Sequence, residues 1–201
     1  MPALTDEFIE QAVHEYQSLQ ESRIVEPSPF FEEVKLRHAA VMIPLLIHKG
    51  DWHVLLTHRS QNLVEHRGQV AFPGGAQDRH DRDLQETALR EMYEEIGISP
   101  HDVDVFGYLG DMRVVSGYVV RLFVGKIPWP YDLKINPSEV ESAFTVPLKW
   151  LSDPNHRSVQ YRSYAGHEFP VIFFDEYEGH ILWGASAEMT LSLLTALKLV
   201  N

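Results

Sequence analysis

Residues 74–98 read GGAQDRHDRDLQETALREMYEEIGI. Two glycines and a polar stretch run into a segment whose far end carries Arg90, Glu91, Glu94 and Glu95. At roughly 100° per residue, the three glutamates fall within an arc of about 100° on a helical wheel. Ala88, Leu89, Met92, Tyr93 and Ile96 fill the adjoining arc, so the spacing predicts a helix with one apolar side to bury. Gly97 stands where a left-handed C-cap would end it. Three carboxylates on one arc, with Glu91 and Glu95 four residues apart, repel one another and weaken an isolated helix. Arg90 can offset one of these charges but not three. Most such clusters are solvated acidic faces. The glycine-led loop favours the other reading, a cation held among the carboxylates. Oxygen donors suit a hard divalent ion, Mg²⁺ or Mn²⁺, which keeps other positions for water and substrate phosphates.

The run REMYEEIGI, Arg90 to Ile98, resembles the RExxEExG core of the Nudix hydrolases, which cleave nucleoside diphosphates linked to another moiety. In that family's box the leading glycine stands fourteen residues before the arginine, and a glutamate follows the glycine by six. Here Gly75 precedes Arg90 by fifteen and Asp81 follows Gly75 by six. Starting from Ala76 restores the spacing, but the glycine is lost and Arg82 takes the acid's place. We read a one-residue insertion, with Asp81 as the acid that pairs with the arginine. The resemblance implies an α/β fold, the Nudix-type α/β/α sandwich around a mixed sheet. It also implies metal ligation by Glu91 and Glu95, with Glu94 as a further ligand or as the base. The Gly74 carbonyl is a candidate metal ligand, because glycine permits close backbone approach. Arg90 is expected to orient a carboxylate or the loop. Family bases often come from downstream loops, where Glu139 and Glu141 are candidates. Ser138-Glu139-Val140 matches the expected pattern and favours Glu139.

The preceding stretch, LLTHRSQNLVEHRGQVAFPGG from Leu55 to Gly75, resembles the motif of the coenzyme A pyrophosphatase branch. It implicates Arg59, Ser60, His66 and Arg67 in substrate binding, since guanidinium forks grip phosphate oxygens bidentately. Val64 stands where the motif carries an arginine, and Arg67 is three residues away. Similarity in outline runs from Arg37-His38-Ala39-Ala40 through Ser116-Gly117-Tyr118 to Trp183-Gly184. The implied reaction is hydrolysis of coenzyme A, or a derivative, to 4′-phosphopantetheine and adenosine 3′,5′-bisphosphate. The Val64 departure keeps ADP-ribose or a dinucleotide open as the substrate. A non-catalytic nucleotide sensor on the same fold is a third reading, although such a protein would be expected to have lost box carboxylates.

Composition agrees with a small-molecule substrate. The chain of 201 residues carries a net charge of −12, which opposes general nucleic-acid binding through phosphate attraction. A bound cation and a few arginines can still reverse the field locally. There is no cysteine, so disulfides, thiolate metal sites and cysteine nucleophiles are excluded. The 11 histidines are scattered, without an HxxxH pair on a helix. No apolar run approaches membrane length. The N-terminus MPALTDEFIEQ lacks the regions of a signal peptide, so a cytoplasmic location is expected.

Outward from the box, periodicity predicts a helix over 5–20, with Thr5 as N-cap. Residues 1–36 are read as a helical extension that could serve a homodimer, and 37–201 as the Nudix domain. A loop is expected over 21–37. Strands are predicted at 39–48, 52–57, 70–72, 103–109, 118–127, 144–146, 158–164 and 169–174, with a loop over 110–117. A short helix from Pro147 and a final helix over 185–199 complete the expected order, around a single mixed sheet.

Overall fold

The computed structural model describes residues 3–21, 36–63, 67–114, 116–164 and 167–200. The expected loop therefore lies almost wholly outside the described residues, as do Val64 and His66. Helix α1 spans Asp6–Glu21, followed by strands β1 (Arg37–His48), β2 (Asp51–Arg59), β3 (Val70–Ala71) and β4 (Gly74–Ala76). Helix α2 (Leu84–Ile96) leads to β5 (Asp104–Val114), β6 (Tyr118–Lys126), β7 (Val140–Pro147) and α3 (Leu148–Ser152). The hairpin β8 (Arg157–Tyr164) and β9 (His167–Phe174) precedes α4 (Gly184–Ala196). Among the described residues no helix is long and apolar enough to cross a membrane.

Strand β1 is the centre of the fold. It pairs in parallel with β6 on one edge, and antiparallel with both β2 and β4 on the other. Its sequence is a nearly unbroken apolar run because both of its faces are covered. Ala39, Ile43 and Leu45 join one core with α1, α3 and α4. Ala40, Met42 and Leu46 join the other with α2. The result is a mixed seven-stranded sheet between helical layers.

Several elements differ from the sequence expectation. Gly74–Ala76 is a short strand rather than loop, with Gly75 opposite Ala40. Strand β5 continues through Val114, so the loop expected from Gly110 shrinks to a tight connection before Tyr118. Residues 110–114 carry little apolar periodicity, and their strand character comes from pairing with β6. Strand β7 likewise begins at Val140, ahead of the predicted start, because it pairs along β2. Pro147 caps α3 instead of opening it. The β8–β9 hairpin forms a separate two-stranded sheet rather than extending the large one, and Phe174 and Ile172 anchor it to the α4-side core.

Helix α1 packs into that same core through Ile9, Ala12 and Val13. Trp52 Nε1 donates to the Leu4 carbonyl at 2.9 Å, and Lys126 pairs with Asp6. Replacing Ile9, which is fully buried, by alanine should destabilise the protein by about 2–4 kcal/mol. The exposed Glu10→Ala should change stability by about 0.5 kcal/mol or less. Urea denaturation of the two variants checks this.

Candidate active site

The rotation of α2 about its own axis sorts its three glutamates. The helix buries Thr87, Ala88, Met92, Glu95 and Ile96. On the wheel Glu95 lies well inside this arc, while Glu91 is turned about 40° from Glu95 toward the Thr87 edge and Glu94 about 100° from Glu95, past that edge. Side-chain exposures follow: 1% for Glu95, 15% for Glu91 and 49% for Glu94. Tyr93, assigned to the apolar side from the sequence, is 56% exposed. The apolar arc is centred nearer Met92, which pushes Tyr93 out and draws Glu95 in. Asp83 caps the first turn by accepting from the Glu86 N–H at 2.9 Å. Gly97 ends the helix at φ 76°, its N–H donating to the Tyr93 carbonyl, as its position in the sequence predicts.

Arg90 collects the charge at the surface of this helix. Its Nε and Nη2 donate to the two oxygens of Asp81, each at 2.9 Å. Nη1 donates to Glu91 at 2.8 Å and to Glu94 at 2.9 Å, while Nη2 also reaches the Ala76 carbonyl at 3.2 Å. Asp81 further accepts from the Asp78 N–H and the Thr87 hydroxyl. The Arg90 guanidinium, helped by these donors, holds the Asp81 carboxyl far below the usual carboxylate range. The insertion between Gly75 and Arg90 is thus absorbed in the loop, and the acid–arginine fork is intact.

The carboxylates converge on one point from two directions. Glu91 and Glu95 project from α2, and Glu139 comes from the loop before β7; ligand oxygens of all three lie within 4.8 Å of one another. Gly75 lies against Glu91 so closely that a Cβ there would sit 2.5 Å from the carboxylate carbon. Any larger residue there would have to push the Glu91 carboxylate aside, so the glycine leaves it in place. Gly74, one residue earlier in β4, is opposite Val41. Burial pushes the Glu91 carboxyl upward, against the opposing pull of Arg90. Glu95 is pushed up to about 8, first by burial and then by Glu91 and Glu139, with Arg59 and the Gly74 backbone opposing.

One oxygen of Glu95, Oε2, is buried without a hydrogen-bond partner among the described residues. Its other oxygen takes a long contact, 3.3 Å, from Arg59 Nη1, and Arg59 Nε is itself buried without a partner among the described residues. A buried carboxylate oxygen with no donor is costly, and two further carboxylates beside it raise the cost. A hard divalent cation held by Glu91 and Glu95 would satisfy the open oxygen and offset the charge of Glu139 beside it, so the donor set fits such an ion. It would sit near the C-terminal end of α2, where the helix dipole also favours positive charge.

Of the residues singled out in the sequence, Glu91, Glu95, Glu139, Arg59, Ser60 and Gly74 are brought together around this point. The buried Ser60 donates its N–H to the Glu139 carbonyl at 2.8 Å. Glu94 is turned away toward Arg90. Glu141 faces His58, at 3.3 Å, and Arg67 is exposed. Sequence reasoning did not single out Asn136. Its only local signal is the Asn136-Pro137 turn, which says nothing of the carboxylates it meets in space.

A family model described as the NUDIX domain matches residues 36–166. A protein of Photorhabdus laumondii described as "Uncharacterized Nudix hydrolase NudL" is 41% identical over 154 residues, covering 75% of this chain and 80% of its own. Another of that description, from Yersinia enterocolitica, is 33% identical over 194 residues, covering 92% and 94%. The crystal structure of a MutT/nudix family protein from Enterococcus faecalis superposes with TM-score 0.54 at 12% identity, covering 98% of this chain and 76% of that one. This last likeness concerns the fold.

Two stability measurements follow from the geometry. Asp81→Asn should cost about 2–3 kcal/mol by breaking a pair whose acid is buried. Because the folded-state pKa of Asp81 is depressed, the gap to wild type should be full above about pH 4 and close as pH falls further. Glu95 has the opposite sign. Its folded-state pKa lies above the unfolded value, so its ionisation lowers stability between about pH 4.5 and 8. In EDTA, Glu95→Gln should melt above wild type at pH 8.5, with the advantage shrinking toward pH 5. Thermal melts across pH check both.

Proposed function

Because the chain belongs to the NUDIX family, we propose that it is a divalent-cation-dependent diphosphatase of coenzyme A or its derivatives. The family membership makes it a Nudix hydrolase, acting on a nucleoside diphosphate derivative. The finer assignment rests on the Leu55–Gly75 motif, together with the place where its Arg59 and Ser60 end up, beside the carboxylates. The observation that carries the catalytic reading is the convergence of Glu91, Glu95 and Glu139 around a buried carboxylate oxygen with no hydrogen-bond partner among the described residues.

In this reading Glu91 and Glu95 hold the cation, Mg²⁺ or Mn²⁺. When bound, the ion screens the diphosphate charge and acidifies the attacking water. Arg59 lies next to Glu95 and presents a guanidinium to the substrate's phosphate oxygens. Arg67, exposed in the segment between β2 and β3, is a second phosphate contact. Arg90 keeps Glu91 aimed by holding it against the Asp81-bearing loop. We assign the acceptor of the water's proton to Glu139. Glu91 and Glu94 are bound to Arg90 and Glu95 to Arg59, whereas the Glu139 carboxylate receives a neutral amide donor, Asn136. Among the described residues Glu139 is thus the carboxylate of the three that no arginine engages, which leaves it open to a water. Glu94 serves to balance Arg90. The products are 4′-phosphopantetheine and adenosine 3′,5′-bisphosphate.

The test is product analysis with purified protein and Mg²⁺ or Mn²⁺, using coenzyme A, ADP-ribose and a dinucleotide in parallel. Adenosine 3′,5′-bisphosphate should appear, and Glu91→Gln should lower kcat by about 100-fold or more. Cleavage of ADP-ribose or the dinucleotide alone would overturn the coenzyme A assignment and point to Val64 as the altered feature.

A further inference from the structure

The loop between Trp129 and Glu139 is irregular, yet its end is fixed to α2 by backbone bonds. The last carbonyls of a helix have no partner within it. Here Lys134 N–H donates to the Ile96 carbonyl and Asn136 N–H to the Glu95 carbonyl, both at 2.9 Å. The Asn136 carbonyl then accepts from the N–H groups of Glu139, at 3.1 Å, and Val140, at 2.9 Å. Asn136 therefore bridges the helix turn that carries Glu95 and the turn that carries Glu139.

Its side chain completes the bridge. Asn136 Nδ2 donates to Glu139 Oε1 at 3.0 Å. Asn136 Oδ1 accepts from Ser138 twice, from the N–H at 3.2 Å and from the hydroxyl at 2.6 Å. Those two donors fix which way the amide faces, since an amide nitrogen cannot accept them. The NH₂ group is thereby committed to Glu139. From this geometry we propose that Asn136 is a positioning residue for Glu139, holding that carboxylate against Glu91 and Glu95 by a neutral hydrogen bond. The amide orients the carboxylate without adding a charge to it.

This inference rests on the assignment of Glu139 as proton acceptor, and the test separates the two. The variants Asn136→Ala, Glu139→Gln and the double variant are assayed for kcat and KM. Mn²⁺ binding to the metal-free proteins is titrated by electron paramagnetic resonance. Asn136→Ala should lower kcat about 10- to 100-fold, with KM and the Mn²⁺ dissociation constant within about threefold of wild type. In the Glu139→Gln background the same change should add nothing, because positioning acts only through the carboxylate. A kcat of Asn136→Ala within twofold of wild type, with Glu139→Gln impaired, would overturn the role of Asn136 alone. So would an equal loss in both backgrounds, or a tenfold weakening of Mn²⁺ binding, which would mark a general disturbance of the α2 end. Full activity of Glu139→Gln would instead overturn the acceptor assignment on which the inference stands.

Discussion

The guanidinium of Arg90 lies where three acidic side chains and a loop carbonyl would otherwise leave α2 uncompensated. Its fork is taken by Asp81, and its remaining nitrogen is shared by Glu91 and Glu94. With that charge placed, the last turns of the helix can carry Glu91 and Glu95 side by side and still pack onto the sheet. The fork also fixes the polar loop after β4, and so keeps Gly75 flat against the Glu91 carboxylate. The local order of the site therefore depends on an ion pair whose acid is almost fully buried, with Oδ1 satisfied by Arg90 and Oδ2 by Arg90, Asp78 and Thr87. Such pairs hold a geometry more reliably than they add net stability.

What Arg90 does not balance is Glu95. It is carried into the core by the same arc that buries Met92 and Ile96, and Arg59 meets it only at 3.3 Å. The protein retains a buried carboxylate that its own side chains satisfy on one oxygen only. Function is the simplest account of that tolerance, since a ligand-free structure would gain from replacing the acid. The backbone of the 134–139 loop finishes the arrangement. It takes up the open carbonyls of the helix end, so one set of hydrogen bonds both terminates α2 and delivers Glu139.

The elements around the site were legible to different degrees. Helix α2, its glycine cap and strand β1 could be read directly, because each carries strong periodicity or a long apolar run. Asp81 could be identified as the partner of Arg90 only by counting through an insertion, and the fork at 2.9 Å supports that count. Tyr93 was misplaced because a wheel gives relative angles and not the direction of the core. The extensions of β5 and β7 escaped detection because those residues are strand only through their partners. Strand β4, with two glycines and an alanine, carries no propensity at all and exists because β1 offers an unpaired edge.

The amino-acid sequence by itself determined the carboxylate-bearing helix, the glycines before it, the apolar central strand and the family to which they belong. These follow from spacing along the chain, which is local and survives without coordinates. Only the tertiary structure decided which glutamates meet. Glu94 and Glu95 are neighbours in sequence, yet one is half exposed on Arg90 and the other is buried beside Glu139, some forty residues away. The rotation of α2 against the sheet and the docking of a distant loop on its last carbonyls make that choice. Both are set by packing and by hydrogen bonds between segments far apart in the chain, to which no local pattern gives access.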